Sequence, residues 1–567
     1  MTHTRQRETS IFLNATTIAT SLLLLAAIVW VSDRAIEITD EAYYILSGAY
    51  PEALTAFISA QHWALAPLWV LAGSLQHFRL LGIAILIGSV MLLAYGTSRV
   101  AAVGGLLPAS RFQVMGLSAA GSIGALLYVS TISPSPSYNL LASAGGYAAL
   151  GLAFLCATSQ HRALDLLAAL ACGVALTITF INKPPAGVCC ALLVLAVIVL
   201  LRDRRGTGLC VAFILAGGSL SLSGLVALNW RGGALLQHLE TGLALFRQVQ
   251  TEPIAARLWR YTVTMGKSFV ASVLGFAPAL ALCLYMLRDV RRWMPAAVLV
   301  LVLGSIIFGE HYLGGRTKYQ TQIEALVALL ALSLVVAGPV WTAHRTTVIL
   351  VFALICLPYA VAMGTGNSMF TQVIVTAGSW PLLAMLLAQA HHSDTDRRRT
   401  AQGLALVMMA LIVLQVLISF NRDPYHLDQP LFGQRQHTTV PVLGAVRVDS
   451  KTMQMLADLR SARDTCAIAP GAEFIGLYNV PGLSLLLEAV PPVSPWLTNA
   501  DQLGTLFAAW QPRGRIVLAL SAQAQMTRGD LPSVLRPLDE KFDFCGTVIV
   551  PFSKESIEIW ASTLAGG

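Results

Sequence analysis

The sequence predicts a polytopic α-helical membrane protein of about 13 transmembrane helices, followed by a small exported α/β domain at the C-terminal end. Three observations predict it. Of 567 residues, 56% are hydrophobic and 12% charged, whereas an ordinary soluble domain carries about a quarter of its residues as charges. The mean hydropathy is +0.68, and apolar surface on that scale needs lipid to solvate it. The charge also divides along the chain: residues 1–420 hold 25 Lys/Arg against 15 Asp/Glu, and residues 421–567 hold 12 against 14. The net +8 therefore belongs to the apolar region, where Lys and Arg mark cytoplasmic turns, and it calls for no nucleic acid. Collagen-like, disordered and disulfide-scaffold chains are excluded.

A bilayer-spanning helix needs about 20 mostly apolar residues. Segments near 11–31, 80–98, 112–130, 139–157, 164–182, 184–201, 208–228, 268–287, 294–309, 322–340, 347–363, 370–390 and 401–420 meet this. Arg5, Arg7, Arg99, Arg111, Arg162, Arg202, Arg204, Arg205, Arg288, Arg291, Arg292, Arg345 and Arg397 to Arg399 then fall in segments on one side, most of them short turns. That side is cytoplasmic by the positive-inside rule, so the N-terminus is inside and the C-terminal region outside. The first apolar run is too long for a cleaved signal and no small-x-small site follows it, so it reads as a retained helix.

Three outer segments are long enough for function. The first, about 32–79, combines Asp40-Glu41 with Trp63, Pro67 and Trp69 and predicts short helices lying in the membrane interface. The second, about 229–267, predicts an interfacial amphipathic helix over 243–263. The third begins with a polar linker, 421–438, containing Pro424 and Pro430. Beyond it, Met453, Leu456 and Leu459 recur at three-residue spacing in a helix over 449–463. Short apolar runs at 465–469, 515–520, 545–550 and 556–561 predict strands, with a helix near 499–510. Residues 1–420 and 421–567 thus form a membrane region and an exported domain. Of nine cysteines, only Cys466 and Cys545 fall in that domain. A pair in an oxidising compartment is a disulfide candidate, with two free thiols as the alternative.

Glu37-Ile38-Thr39-Asp40-Glu41-Ala42-Tyr43-Tyr44 follows the first span directly. Such carboxylates read either as a solvated helix start capped by Thr39 or Asp40, or as a base at the outer membrane surface that takes a proton from an incoming hydroxyl. Lys183 sits in a tight outer turn, Lys183-Pro184-Pro185, where it either snorkels or meets an anion. Glu310-His311-Tyr312-Leu313-Gly314-Gly315-Arg316-Thr317-Lys318-Tyr319 reads as a phosphate-binding cluster or as a solvated turn. Glu310 and His311 are adjacent and rarely converge on one ion, so no metal is assigned.

The order Asp40-Glu41-Ala42-Tyr43-Tyr44, His62, Pro67-Leu68-Trp69 and Arg79-Leu80, with Lys183-Pro184-Pro185 further on, resembles the GT-C glycosyltransferases. Among them it is similar to the lipid A aminoarabinose transferases and the protein O-mannosyltransferases. The resemblance implies a polyprenyl-phosphate-linked sugar donor and transfer on the outer face, inverting, to a glycan, lipid or protein acceptor. It implies Asp40 as general base, Glu41 as an orienting carboxylate, and Lys183, Arg316, Lys318, His311, Tyr319 and His62 around donor phosphate and substrate. The turn Ser133-Pro134-Ser135-Pro136-Ser137 lacks the second acidic residue of many relatives, which favours a monophosphate donor and no required metal or cofactor. The family and the compact chain suggest a bacterial inner membrane, with an endoplasmic-reticulum membrane as the alternative, and a monomer is expected. A lipid transporter or flippase is the competing class, and such proteins place charges in mid-helix. Here Asp, Glu, Lys and Arg gather at helix ends. An O-antigen polymerase or ligase is the competing enzyme.

Overall fold

The computed structural model describes residues 2–563 apart from 58, 108–109, 159–161, 230–233, 250–251, 254, 265, 268–269, 271–284, 286–317, 365–368, 391–394, 423, 500, 509 and 522–541. Helix α1 (Thr2–Val31) is followed by two short helices, α2 (Asp40–Ala49) and α3 (His62–Ala72). Then come α4 (Leu75–Val103), α5 (Arg111–Leu126), α6 (Tyr138–Thr158), α7 (Arg162–Asn182), α8 (Pro184–Leu201) and α9 (Arg204–Asn229). Among the described residues, nine helices are long and apolar enough to cross a membrane: α1, α4 to α9, Arg345–Ala362 and Thr395–Asn421. The chain is a polytopic helical membrane protein. The expected spans at 268–287 and 294–309 lie almost wholly outside the described residues. The apolar run at 370–390 is not one continuous helix but two, Met369–Ile374 and Ser379–Gln389.

Small residues let these helices approach closely, as in other membrane bundles. A Cβ added at Gly96 of α4 would stand 2.3 Å from the Gly151 carbonyl of α6. In α3 the tryptophans turn inward. Trp69 packs edge-on against Phe78 with centroids 5.2 Å apart, and Trp63 is buried near Phe57. The outward face of α3 is carried instead by the exposed Val70 and Leu71. The segment after α9 forms α10 (Ala234–Val249), which starts earlier than the helix expected over 243–263 and exposes Leu236, Leu243 and Phe246.

After Asn421 the linker leads into an antiparallel hairpin of β1 (Gln436–Val440) and β2 (Gly444–Val448). The expected linker had absorbed the start of this hairpin. A helix, Ser450–Thr465, begins where Asp449 accepts from the backbone N–H groups of Lys451 and Thr452. The main sheet contains β3 (Glu473–Leu477), β4 (Ile516–Ser521), β5 (Phe542–Ile549) and β6 (Ser556–Ser562), in the order β3-β4-β6-β5. β3 and β4 are parallel, the other pairs antiparallel. Residues 465–469, expected as a strand, form the end of the preceding helix and a turn in which Ala467 has φ +46°. Cys466 and Cys545 are bonded, tying that helix end to β5.

The C-terminal region is fastened to the segment between α1 and α4. Arg447 of β2 donates its backbone N–H to Asp33 O at 2.8 Å and accepts from Ala35 N at 2.7 Å. Its guanidinium also pairs with the Asp33 carboxylate at 2.9 Å. Leu75 N donates to Leu443 O, and Gly482 N to Ile38 O. These bonds bracket the segment 33–40 between two parts of the C-terminal region.

Candidate functional site

Helix α2 begins at Asp40, and Glu37 builds its start. The Glu37 carboxylate accepts from Thr39 N at 2.7 Å, from the Thr39 hydroxyl, and from Glu41 N at 2.6 Å. Those N–H groups are the ones a helix leaves unpaired at its first turn. Sequence reading assigned Glu37 no role. A carboxylate two to four residues ahead of the donors it satisfies was the available signal.

Asp40 and Glu41 then part company. Glu41 is fully buried, and Arg79 of α4 grips it with Nε at 2.7 Å and Nη2 at 2.5 Å. Ser133 and Ser135, from the turn before α6, also donate to Glu41 Oε1. Arg79 in turn donates to the carbonyls of Ser32, Arg34 and Ala35. Burial pushes the Glu41 carboxyl up, but the Arg79 guanidinium and the two serine hydroxyls outweigh it and hold it below the usual range. Oε1 accepts three of these bonds and Oε2 one, so this carboxylate fixes the loop onto α4 and is held ionised by Arg79. The serines of the Ser-Pro-Ser-Pro-Ser turn thus do work that a sequence reader sees only as a missing carboxylate.

Asp40 meets no Lys or Arg among the described ion pairs. Its Oδ2 accepts from the Tyr425 hydroxyl, brought from the linker. Burial pushes its carboxyl up to about 6, and Glu37 adds to the rise, while the Tyr425 hydrogen bond and His426 oppose it. A carboxylate held near neutrality is suited to take a proton at physiological pH. Tyr44 and Tyr138 stack edge-on nearby with centroids 6.1 Å apart. A cavity of about 50 Å³ opens beside the group. Ser32, Arg34, Glu37, Glu41, Arg79 and Tyr425 line it.

Lys183 stands at the turn between α7 and α8. Tyr138 and Asn139 open α6; Asn139 Oδ1 is 3.4 Å from Lys183 Nζ, and Gln372 Oε1 is 2.7 Å from it. The amine is 2% exposed and has only neutral partners among the described residues. Burial pulls its ammonium down to about 7. Ser59, between α2 and α3, donates to Asn182 O at 2.6 Å, pinning that loop to the end of α7. His62 instead packs edge-on against Phe57, with centroids 4.6 Å apart, and is 5% exposed. Its described contacts do not include Asp40. His311 and Arg316 lie outside the described residues, and Lys318 and Tyr319 open the helix Lys318–Val336 with side chains outside the description. Among the described residues no three His, Cys, Asp or Glu side chains gather as a metal site would need.

No protein-family model matches the sequence, and no curated protein matches it. Solved structures do resemble the chain. ArnT from Cupriavidus metallidurans bound to undecaprenyl phosphate aligns over 96% of this chain and 97% of its own, at 14% identity and a TM-score of 0.41. The Archaeoglobus fulgidus oligosaccharyltransferase tethered with an acceptor peptide aligns over 85% of this chain and 64% of its own, at 12% identity and a TM-score of 0.46.

Proposed function

We propose that this chain is a membrane glycosyltransferase that moves a sugar from a polyprenyl-monophosphate carrier to an acceptor hydroxyl, with Asp40 as general base. The observation that carries the reading is the contrast inside one acidic pair. Glu41 is consumed by Arg79 and two serines, while Asp40, one residue away, keeps a carboxylate near neutrality. In the proposed reaction the acceptor O–H gives its proton to Asp40. The oxygen pair forms a bond to the anomeric carbon as the bond to the phosphate oxygen breaks. That bonding pair leaves on the lipid phosphate, and attack from the opposite face inverts the centre.

The leaving phosphate needs fixed positive charge in a water-poor site. Lys183 supports this reading because its buried amine faces the amide oxygens of Asn139 and Gln372 and no competing carboxylate among the described residues. An arriving phosphate favours the charged ammonium that burial opposes. Arg316, Lys318, His311 and Tyr319 are proposed as further donor contacts, and Lys and Arg alone suffice for a monophosphate. The proposed setting is the outer face of a bacterial inner membrane, with the N-terminus cytoplasmic and a glycan, lipid or protein hydroxyl as acceptor.

The test is transfer from a panel of labelled polyprenyl-phosphate sugars in membranes holding wild type or Asp40→Asn. The expected result is transfer by wild type and its collapse in the variant with donor binding retained. Transfer that survives the substitution removes Asp40 as base.

A further inference from the structure

Residues 424–426 were read as part of a spacer. They are the segment that closes on Asp40. The Tyr425 hydroxyl donates to Asp40 Oδ2, and the Tyr425 ring stacks on His426 at 4.0 Å with 22° between planes. The His426 ring also stacks on Phe552, between β5 and β6, at 5.1 Å and 11°. His426 Nδ1 lies 2.7 Å from the Thr39 hydroxyl and 3.6 Å from Glu37 Oε1. Its backbone is left-handed, φ +49°, a conformation that a residue with a side chain adopts at a cost. Arg34 holds the same linker from below, donating to Leu431 O at 3.2 Å. Tyr425 also walls the cavity beside the acidic pair, whereas Asp40 does not.

We propose that Tyr425 is a positioning residue for Asp40, and that the stack Tyr425–His426–Phe552 makes the placement of this carboxylate depend on how the C-terminal region is seated. The inference rests on the reading of Asp40 as base. A single donor to a carboxylate favours its ionised form and fixes which oxygen is left for the acceptor proton. The ring stack transmits the position because Phe552 sits in the turn joining β5 to β6, while Tyr425 and His426 both belong to the linker. The charged and titratable groups that face Asp40 are Glu37, Tyr43 and Tyr44 from its own loop, Tyr128 and Tyr138 from the membrane helices, and Tyr425 and His426 from the linker.

The experiment reads Asp40 without any substrate. The full chain in nanodiscs is treated with a hydrophobic carbodiimide, which reacts with protonated carboxyl groups, across pH 4.5 to 8, and Asp40 labelling is quantified by peptide mass spectrometry. Tyr425→Phe keeps the stacked ring and deletes the donor. The expected result is a labelling midpoint about one pH unit higher, tenfold in the ionisation constant, the ordinary weight of a hydrogen bond to a charge. Phe552→Leu, remote from Asp40, is expected to move the midpoint the same way by less. An unshifted midpoint in Tyr425→Phe, or labelling that never reaches Asp40 in that variant, overturns the positioning role. A shift in Tyr425→Phe with none in Phe552→Leu overturns the coupling to the C-terminal region. Survival of transfer in Asp40→Asn would instead sink the base reading and leave this titration unaffected.

Discussion

Asp40→Asn is expected to stabilise the protein while abolishing transfer. A carboxyl held at about 6 rather than its ordinary 3.8 binds more protons in the folded chain than in the unfolded one between those values. Stability therefore falls as pH rises through that window and stays lower above it. The penalty is on the order of 3 kcal/mol at pH 8 and about half of that at pH 5. Asparagine keeps an oxygen for the Tyr425 hydroxyl and never ionises, so the variant recovers most of the penalty. We expect a gain of roughly 1–3 kcal/mol at pH 8 that shrinks toward pH 5. The assay is thermal unfolding of purified protein in one detergent, wild type and variant side by side, at both pH values. A variant less stable than wild type at pH 8, or a difference that ignores pH, refutes the reasoning. A residue whose loss raises stability and removes activity is what a strained catalytic group looks like.

Arg79→Met leaves the Glu41 carboxylate buried with only Ser133 and Ser135 as side-chain partners, a loss of about 3–5 kcal/mol. Adding Glu41→Gln is expected to recover part of it, read as the folded fraction on size exclusion after heating. Replacing Cys466 and Cys545 by serine opens a disulfide spanning 79 residues of sequence. It is expected to cost about 4.5 kcal/mol by chain entropy, measured as faster proteolysis within the C-terminal region. Gly96→Val sets a side chain against the Gly151 carbonyl and forces α4 from α6, costing about 1–3 kcal/mol or more, seen as a lower unfolding temperature. Lys183→Met is expected to weaken binding of a polyprenyl-phosphate sugar while leaving the Asp40 labelling midpoint in place.

The spans were legible because their signal is local: twenty apolar residues announce themselves wherever they later pack. Where the helix breaks at 375–378, hydropathy misses it, since Val375 and Ala377 keep the run apolar; in the break Gly378 N donates to the Tyr147 hydroxyl at 2.9 Å. The sheet was legible as apolar runs, but the turn after Cys466 was read as strand because Ala467-Ile468-Ala469 is apolar too. The acidic pair was legible as a pair and no further. Consecutive residues on a helix point roughly 100° apart, so one of Asp40 and Glu41 had to face a different neighbour from the other. Which one stays available is decided by Arg79, 38 residues on, Ser135, 94 residues on, and Tyr425, 385 residues on. Nothing local distinguishes Tyr425 from any other linker tyrosine. The chemistry of Asp40 is therefore a property of the assembled fold. The loop supplies the carboxylate, the membrane helices take its neighbour out of play, and the linker to the C-terminal region supplies the hydrogen bond that orients it.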